Sequence, residues 1–183
     1  MKTVFIGGSR KITKLNPVIN EHIDNIIASG FTVLVGDANG ADRCVQEYLL
    51  SKNYQNVLVF CMEGIARNNV GHWEIKNIVA PSSEKNFDYY AAKDACMAKE
   101  ASYGFMMWDA KSNGTLNNIV NLLKINKKVL VYFSPDKECY KLRSSKDLSW
   151  LLSKCDAKAV SNFEKKLGID KLPHQGQGAL AFA

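Results

Sequence analysis

Short apolar runs that do not alternate with polar residues constrain this chain more than any other feature. They are Thr3–Ile6, Thr32–Val35, Val57–Phe60, Phe105–Trp108 and Val129–Phe133. A strand with one face in water alternates apolar and polar side chains, whereas a continuous run is what a strand covered on both faces needs. Between the runs the period changes. Ile19, Ile23, Ile26 and Ile27 recur at helical spacing after Asn16-Pro17, a cap followed by a first-turn proline, and Gly30 stops the helix. Ala41, Val45, Tyr48 and Leu49 mark a second helix, and Leu116, Ile119, Val120 and Leu123 a later one. Strand–helix–strand order implies right-handed parallel crossovers. The expectation is an α/β, doubly wound, mainly parallel five-stranded sheet over residues 1–135.

Two segments break the rhythm. Residues 61–86 hold Gly64, Gly71, Pro81 and two serines, and at about 25 residues they are long for a connection, which predicts a lid, a binding loop or a subunit contact. A helix from about Asn86 to Ser102 follows. After Pro135 the pattern reads as amphipathic helices, with Leu148, Leu151, Leu152 and Cys155 on one face and Val160, Phe163 and Leu167 on another. Residues 136–173 are thus expected as a helical extension packed on the first domain. Residues 174–183, rich in Gly and Ala, are expected as a flexible tail.

Composition narrows the partners. The 183 residues carry 24 Lys and Arg against 18 Asp and Glu, a net charge of +6. That excess suits anionic ligands such as nucleotides and falls short of the clustered stripe that duplex DNA demands. No apolar run approaches the roughly 20 residues of a membrane span, and the N-terminal run stops at Gly7-Gly8, short of a signal-peptide core. Cys44, Cys61, Cys96, Cys139 and Cys155 contain no C-x-x-C pair, so free thiols in a reducing cytoplasm are expected, without zinc. His22, His72 and His174 form no metal spacing, and no metal or cofactor is expected.

In a doubly wound sheet, ligands sit beyond the carboxyl ends of the strands, so the loops there carry the chemistry. The first strand runs into Gly7-Gly8-Ser9-Arg10: glycines permit close backbone approach, Ser9 can hydrogen-bond, and Arg10 can grip an anion. The second runs into Gly36-Asp37-Ala38-Asn39-Gly40-Ala41-Asp42-Arg43 at a helix start, where N–H groups and the helix dipole favour anions. Asp42 there equally serves the dipole, and Asp37 can accept from ribose hydroxyls. The fourth runs into Trp108-Asp109-Ala110-Lys111-Ser112-Asn113-Gly114-Thr115, where Ser112, Thr115 and the N–H groups form a phosphate cradle or an ordinary capped start. Lys93, Asp94 and Met97 lie on the preceding helix. Asp94 and Met97, three apart, share a face, which places Asp94 either in solvent or in the pocket as a ribose ligand or proton acceptor.

These motifs resemble the SLOG superfamily of Rossmann-like domains, which includes lonely-guy phosphoribohydrolases and DprA. The YspA-like branch is the most similar. Gly8-Ser9-Arg10, Gly36 to Arg43, Lys93 to Met97 and Trp108 to Thr115 follow its ordered motifs across roughly residues 1–135. The resemblance implies a Rossmann-like fold and binding of a nucleoside monophosphate or an ADP-ribose-like molecule. The ligand-binding set it implies is Gly7, Gly8, Ser9, Arg10, Asp37, Gly40, Ala41, Asp42, Lys93, Asp94, Met97, Trp108, Asp109, Ser112, Gly114 and Thr115. It also implies a homodimer or larger assembly, and exposed apolar faces of the C-terminal helices, which the resemblance does not cover, are expected as its interface. Relatives that cleave N-glycosidic bonds carry a Glu three residues after the Thr of the G-T pair, and here that residue is Asn118. A neutral amide is neither a general base nor a carboxylate nucleophile. Cleavage would then rest on Asp94 or Asp42 as catalytic carboxylates. The alternatives are a sensor that sequesters a nucleotide signal without turnover, and a DprA-like binder of single-stranded nucleic acid.

Overall fold

The computed structural model describes residues 2–79 and 87–167. The chain runs β1 (Thr3–Gly8), α1 (Pro17–Ala28), β2 (Thr32–Gly36), α2 (Ala41–Ser51), β3 (Val57–Met62), β4 (Glu74–Ile78), α3 (Phe87–Glu100), β5 (Tyr103–Trp108), α4 (Asn113–Lys124), β6 (Val129–Phe133), β7 (Glu138–Leu142), α5 (Ser145–Leu152) and α6 (Ala157–Leu167). One sheet holds all the described strands in the order β4-β3-β2-β1-β5-β6-β7. Every neighbouring pair is parallel except β6 with β7. The fold is α/β and Rossmann-like, as expected, but with seven strands rather than five.

Both additional strands lie at the edges. β4 sits inside the segment expected as one long loop, and β7 returns through a tight hairpin where helices alone were expected. The remainder of that loop from residue 80 to 86, the helical extension past 167 and the expected tail from 174 lie outside the described residues.

The sheet separates two cores, and the alternation along each strand assigns its side chains. Val4 and Ile6, Val33 and Val35, Val57 and Val59, Phe105 and Met107 face α1 and α2, meeting Ile19, Ile23, Val45 and Leu49. Phe5, Leu34, Phe60, Met106, Trp108 and Phe133 face the opposite way, toward α3, α4, α5 and α6. Leu148, Leu151, Leu152 and Phe163 are buried in that second core. These four residues, from the helix faces expected to pair two subunits, thus pack within the chain's own core. Trp73 is also buried and donates from Nε1 to the Tyr54 carbonyl at 3.0 Å. All five cysteines are free, and none of the described helices is long and apolar enough to cross a membrane.

Candidate functional site

The strand order reverses between β1 and β5. From there β2 and β3 extend one way and β6 and β7 the other, so the loops leaving the carboxyl ends of β1 and β5 diverge and open a crevice. A cleft of about 410 Å³ lies there.

Close backbone approach builds its walls. The Ser9 N–H donates to the Met107 carbonyl at 2.9 Å, and the Ala41 N–H to the Ser9 carbonyl at 3.2 Å. A side chain on Gly8 would come within 2.6 Å of the Met107 carbonyl oxygen. Gly40, at φ +81, leaves only 2.3 Å between its would-be Cβ and the Arg10 carbonyl oxygen. These glycines let the β1 loop, the start of α2 and the end of β5 share one small volume.

Ser9 is not a free ligand donor. Its hydroxyl donates to Asp109 at 2.7 Å. Asp109 also accepts from the N–H groups of Ser112 at 2.8 Å and Lys111 at 3.0 Å. Burial works to raise the Asp109 carboxyl, but these hydrogen bonds outweigh it and hold it below the usual range. Asp109 thereby ties the β1 loop to the turn before α4, where Ala110 takes the left-handed conformation at φ 61. Ser112 caps α4, accepting from the Thr115 N–H at 3.2 Å and the Thr115 hydroxyl at 3.0 Å. Asn113 and Gly114 line the cleft with the N–H groups of a first helical turn, which lack partners within the helix.

Lys93, Asp42 and Asp94 form the floor. Lys93 is 3% exposed and binds Asp37 at 2.8 Å, with Asp42 and Asp94 acting on it and on each other through space. Burial pushes the Asp42 carboxyl up to about 6 against the pull of Lys93, and the neighbouring Asp94 adds to the rise. Burial likewise raises Asp94, opposed by Lys93 and by a hydrogen bond from Asn118. Asn118 is 7% exposed, lines the cleft, and its Oδ1 has no hydrogen-bond partner among the described residues.

Asp37 is placed behind this floor. Its carboxylate takes Lys93 at 2.8 Å and the Arg67 guanidinium at 2.7 and 3.0 Å. Burial opposes ionisation there, but Arg67 and Lys93 hold the carboxyl well below the usual range. The oxygens expected to meet a ribose are occupied by cations from the protein itself.

Of the sequence-predicted residues, the cleft brings together Gly7, Gly8, Ser9 and Arg10 from the first loop, and Asp42 from the second. It adds Lys93, Asp94 and Met97 from α3, and Asp109, Ser112, Gly114 and Thr115 from the last loop. Asp37, Gly40, Ala41 and Trp108 support these residues without lining the cleft. Trp108 is fully buried and donates to the Ser112 carbonyl at 3.1 Å. Sequence reasoning missed Arg67 and Tyr90. Both line the cleft, and the Tyr90 ring lies 5.3 Å from the Arg67 guanidinium and 6.0 Å from that of Arg10. The only signal for Arg67 was a basic residue inside an unusually long connection. The chain matches no protein-family model, and no curated protein matches it.

Proposed function

We propose that the protein binds a nucleotide or nucleotide-derived ligand, a nucleoside monophosphate or an ADP-ribose-like molecule, in the cleft at the β1/β5 crevice. The observation that carries this reading is the cleft's polarity. Arg10, Lys11, Lys111 and the first turn of α4 make one part an anion site. The floor offers the opposite chemistry: Asp42, Asp94 and the unpartnered Asn118 Oδ1 are acceptors. A buried acceptor without a donor costs about 1–3 kcal/mol. A ligand hydroxyl or N–H at Asn118 removes that cost. A phosphorylated sugar has both ends, an anion for the first part and hydroxyl donors for the floor. The resemblance to SLOG domains agrees with this assignment, and the five free thiols fit a reducing cytoplasm.

Calorimetric titration with ribonucleoside monophosphates and the matching nucleosides tests it. A monophosphate should bind at least tenfold more tightly than its nucleoside, and Arg10→Ala should remove most of that difference. Equal binding of the two, or of neither, would reject the assignment.

One observation supports cleavage of the ligand's N-glycosidic bond as well. Burial pushes the Asp42 carboxyl up to about 6, the range in which a carboxyl serves as acid or base at neutral pH, and burial also raises Asp94 beside it. With Asn118 in the position of a Glu, Asp94 or Asp42 would carry the proton transfer. Retention of full turnover in both Asp94→Asn and Asp42→Asn would rule this out and leave a sequestering sensor. Single-stranded nucleic acid is the less favoured partner: Trp73 is withdrawn into the core, and Trp150 packs edge-on against Tyr140 at 5.1 Å, outside the cleft.

A further inference from the structure

A second cavity of about 310 Å³ opens at the opposite edge of the sheet, by the amino ends of the parallel strands. Its origin is topological. The β6–β7 connection is a hairpin, not a helical crossover, so no helix follows it onto the α1 face of β5, β6 and β7. Among the described residues, α1 is the helix that packs on that face, through Ile19 and Ile23. The start of α1 is bound to it, with the Asn16 amide donating to the Tyr132 hydroxyl at 2.5 Å. At the end of α1, Ile26 and the C-capping Ser29 line the cavity together with residues of β1, β5, β6 and β7.

The walls are apolar and aromatic. Ile26, Phe31, Tyr103, Phe105 and Leu130 line the cavity. Phe31 and Tyr103 stack with ring centroids 6.1 Å apart, and His22 meets Phe105 edge-on at 5.6 Å. The polar lining is of one sign. Lys128, Lys141 and Arg143 line the cavity, and among the described residues no Asp or Glu does. Lys2 adds its ammonium 5.7 Å from the Phe31 ring and 6.0 Å from Tyr103. None of these four cations is in an ion pair among the described residues.

We propose that this cavity is a second binding site, separate from the cleft, for a small aromatic anion: a planar apolar body bearing a carboxylate or sulfonate. The size selects a small molecule, since ligand pockets begin at about 300 Å³ and combine apolar walls with a few placed polar groups. The rings select a planar body, by stacking and edge contacts. The uncompensated cations select the anionic head. A second copy of the chain is the poorer occupant. A twofold contact here would set Lys128, Lys141 and Arg143 against the same cations of the other copy.

The test uses the full chain and 1-anilinonaphthalene-8-sulfonate, an aromatic anion that reports binding by fluorescence. Saturable one-to-one binding is expected, weakened at least tenfold in Lys128→Glu/Arg143→Glu, both surface changes that spare the core. Amide chemical-shift changes should fall on Ile26, Phe31 and Phe105 and leave Ser112 to Thr115 unmoved. Unsaturable binding, an affinity indifferent to charge reversal, or shifts at the C-terminal edge of the sheet would overturn the proposal. So would displacement of the probe by oligothymidylate, or its exclusion by a dimer seen in the solution mass.

Discussion

Asp42 is a carboxylic acid held where ionisation is costly, and that makes its effect on stability depend on pH. Its folded value near 6 lies above the 3.8 of an ordinary aspartate, so the native state binds the proton more tightly than the unfolded chain does. The ionised form therefore weakens the fold. The penalty is absent below about pH 4, grows as pH rises through 6, and reaches about 3 kcal/mol above it, at roughly 1.4 kcal/mol per unit. Asp42→Asn should accordingly raise Tm at pH 7.5 and leave it nearly unchanged at pH 4, as scanning calorimetry at the two values would show. Asp37 has the opposite sign. Its depressed carboxyl contributes stability above about pH 4 that is lost as pH falls below it. Asp37→Ala leaves Lys93 buried without its closest partner and should cost about 3–5 kcal/mol in denaturant unfolding. Arg67→Ala should cost about 1 kcal/mol or less, because Arg67 is partly solvated and Asp37 retains Lys93.

The loop between β5 and α4 separates folding demands from binding demands. Ser112 and Asp109 hold the turn, whereas a Cβ on Gly114 would meet nothing within 4 Å. A glycine in a helix that could be alanine costs about 0.5–1 kcal/mol. Gly114→Ala should therefore raise unfolding stability by about that amount. It should also weaken nucleotide binding severalfold in calorimetric titration, because the added methyl stands where an anion would approach the α4 N–H groups. At this same scale the legibility of the sequence divides cleanly. β1, β2, β3, β5 and β6 were legible because burial on two faces demands unbroken apolar runs. β4 (Glu-Ile-Lys-Asn-Ile) and β7 (Glu-Cys-Tyr-Lys-Leu) were not, because edge strands keep polar and charged residues and so resemble loops. The site follows the same division. Residues within a few positions of a strand end were readable, as with Arg10, Asp42 and Ser112. Arg67 and Tyr90 reach the cleft only through the long excursion after β3, which no local pattern reports.

Across the whole molecule, one topological event organises the site. The reversal of strand order between β1 and β5 opens the cleft, and the glycines at the ends of β1 and β2 let the loops around it pack closely. Asp109 and Ser112 fix its walls and Lys93 its floor, leaving the cationic groups and the floor acceptors for the proposed ligand. The ligand proposed for the cleft is nucleotide-derived. Chromatography with mass detection tests it most directly, on a pool of nucleoside monophosphates, their deoxy forms and ADP-ribose derivatives incubated with and without the protein. One member is expected to be depleted from free solution. It either returns intact when the protein is denatured or is replaced by free base and sugar phosphate, the second result naming the N-glycosidic bond as the one cut. A pool left unchanged in every member at protein concentrations above the micromolar range would contradict it.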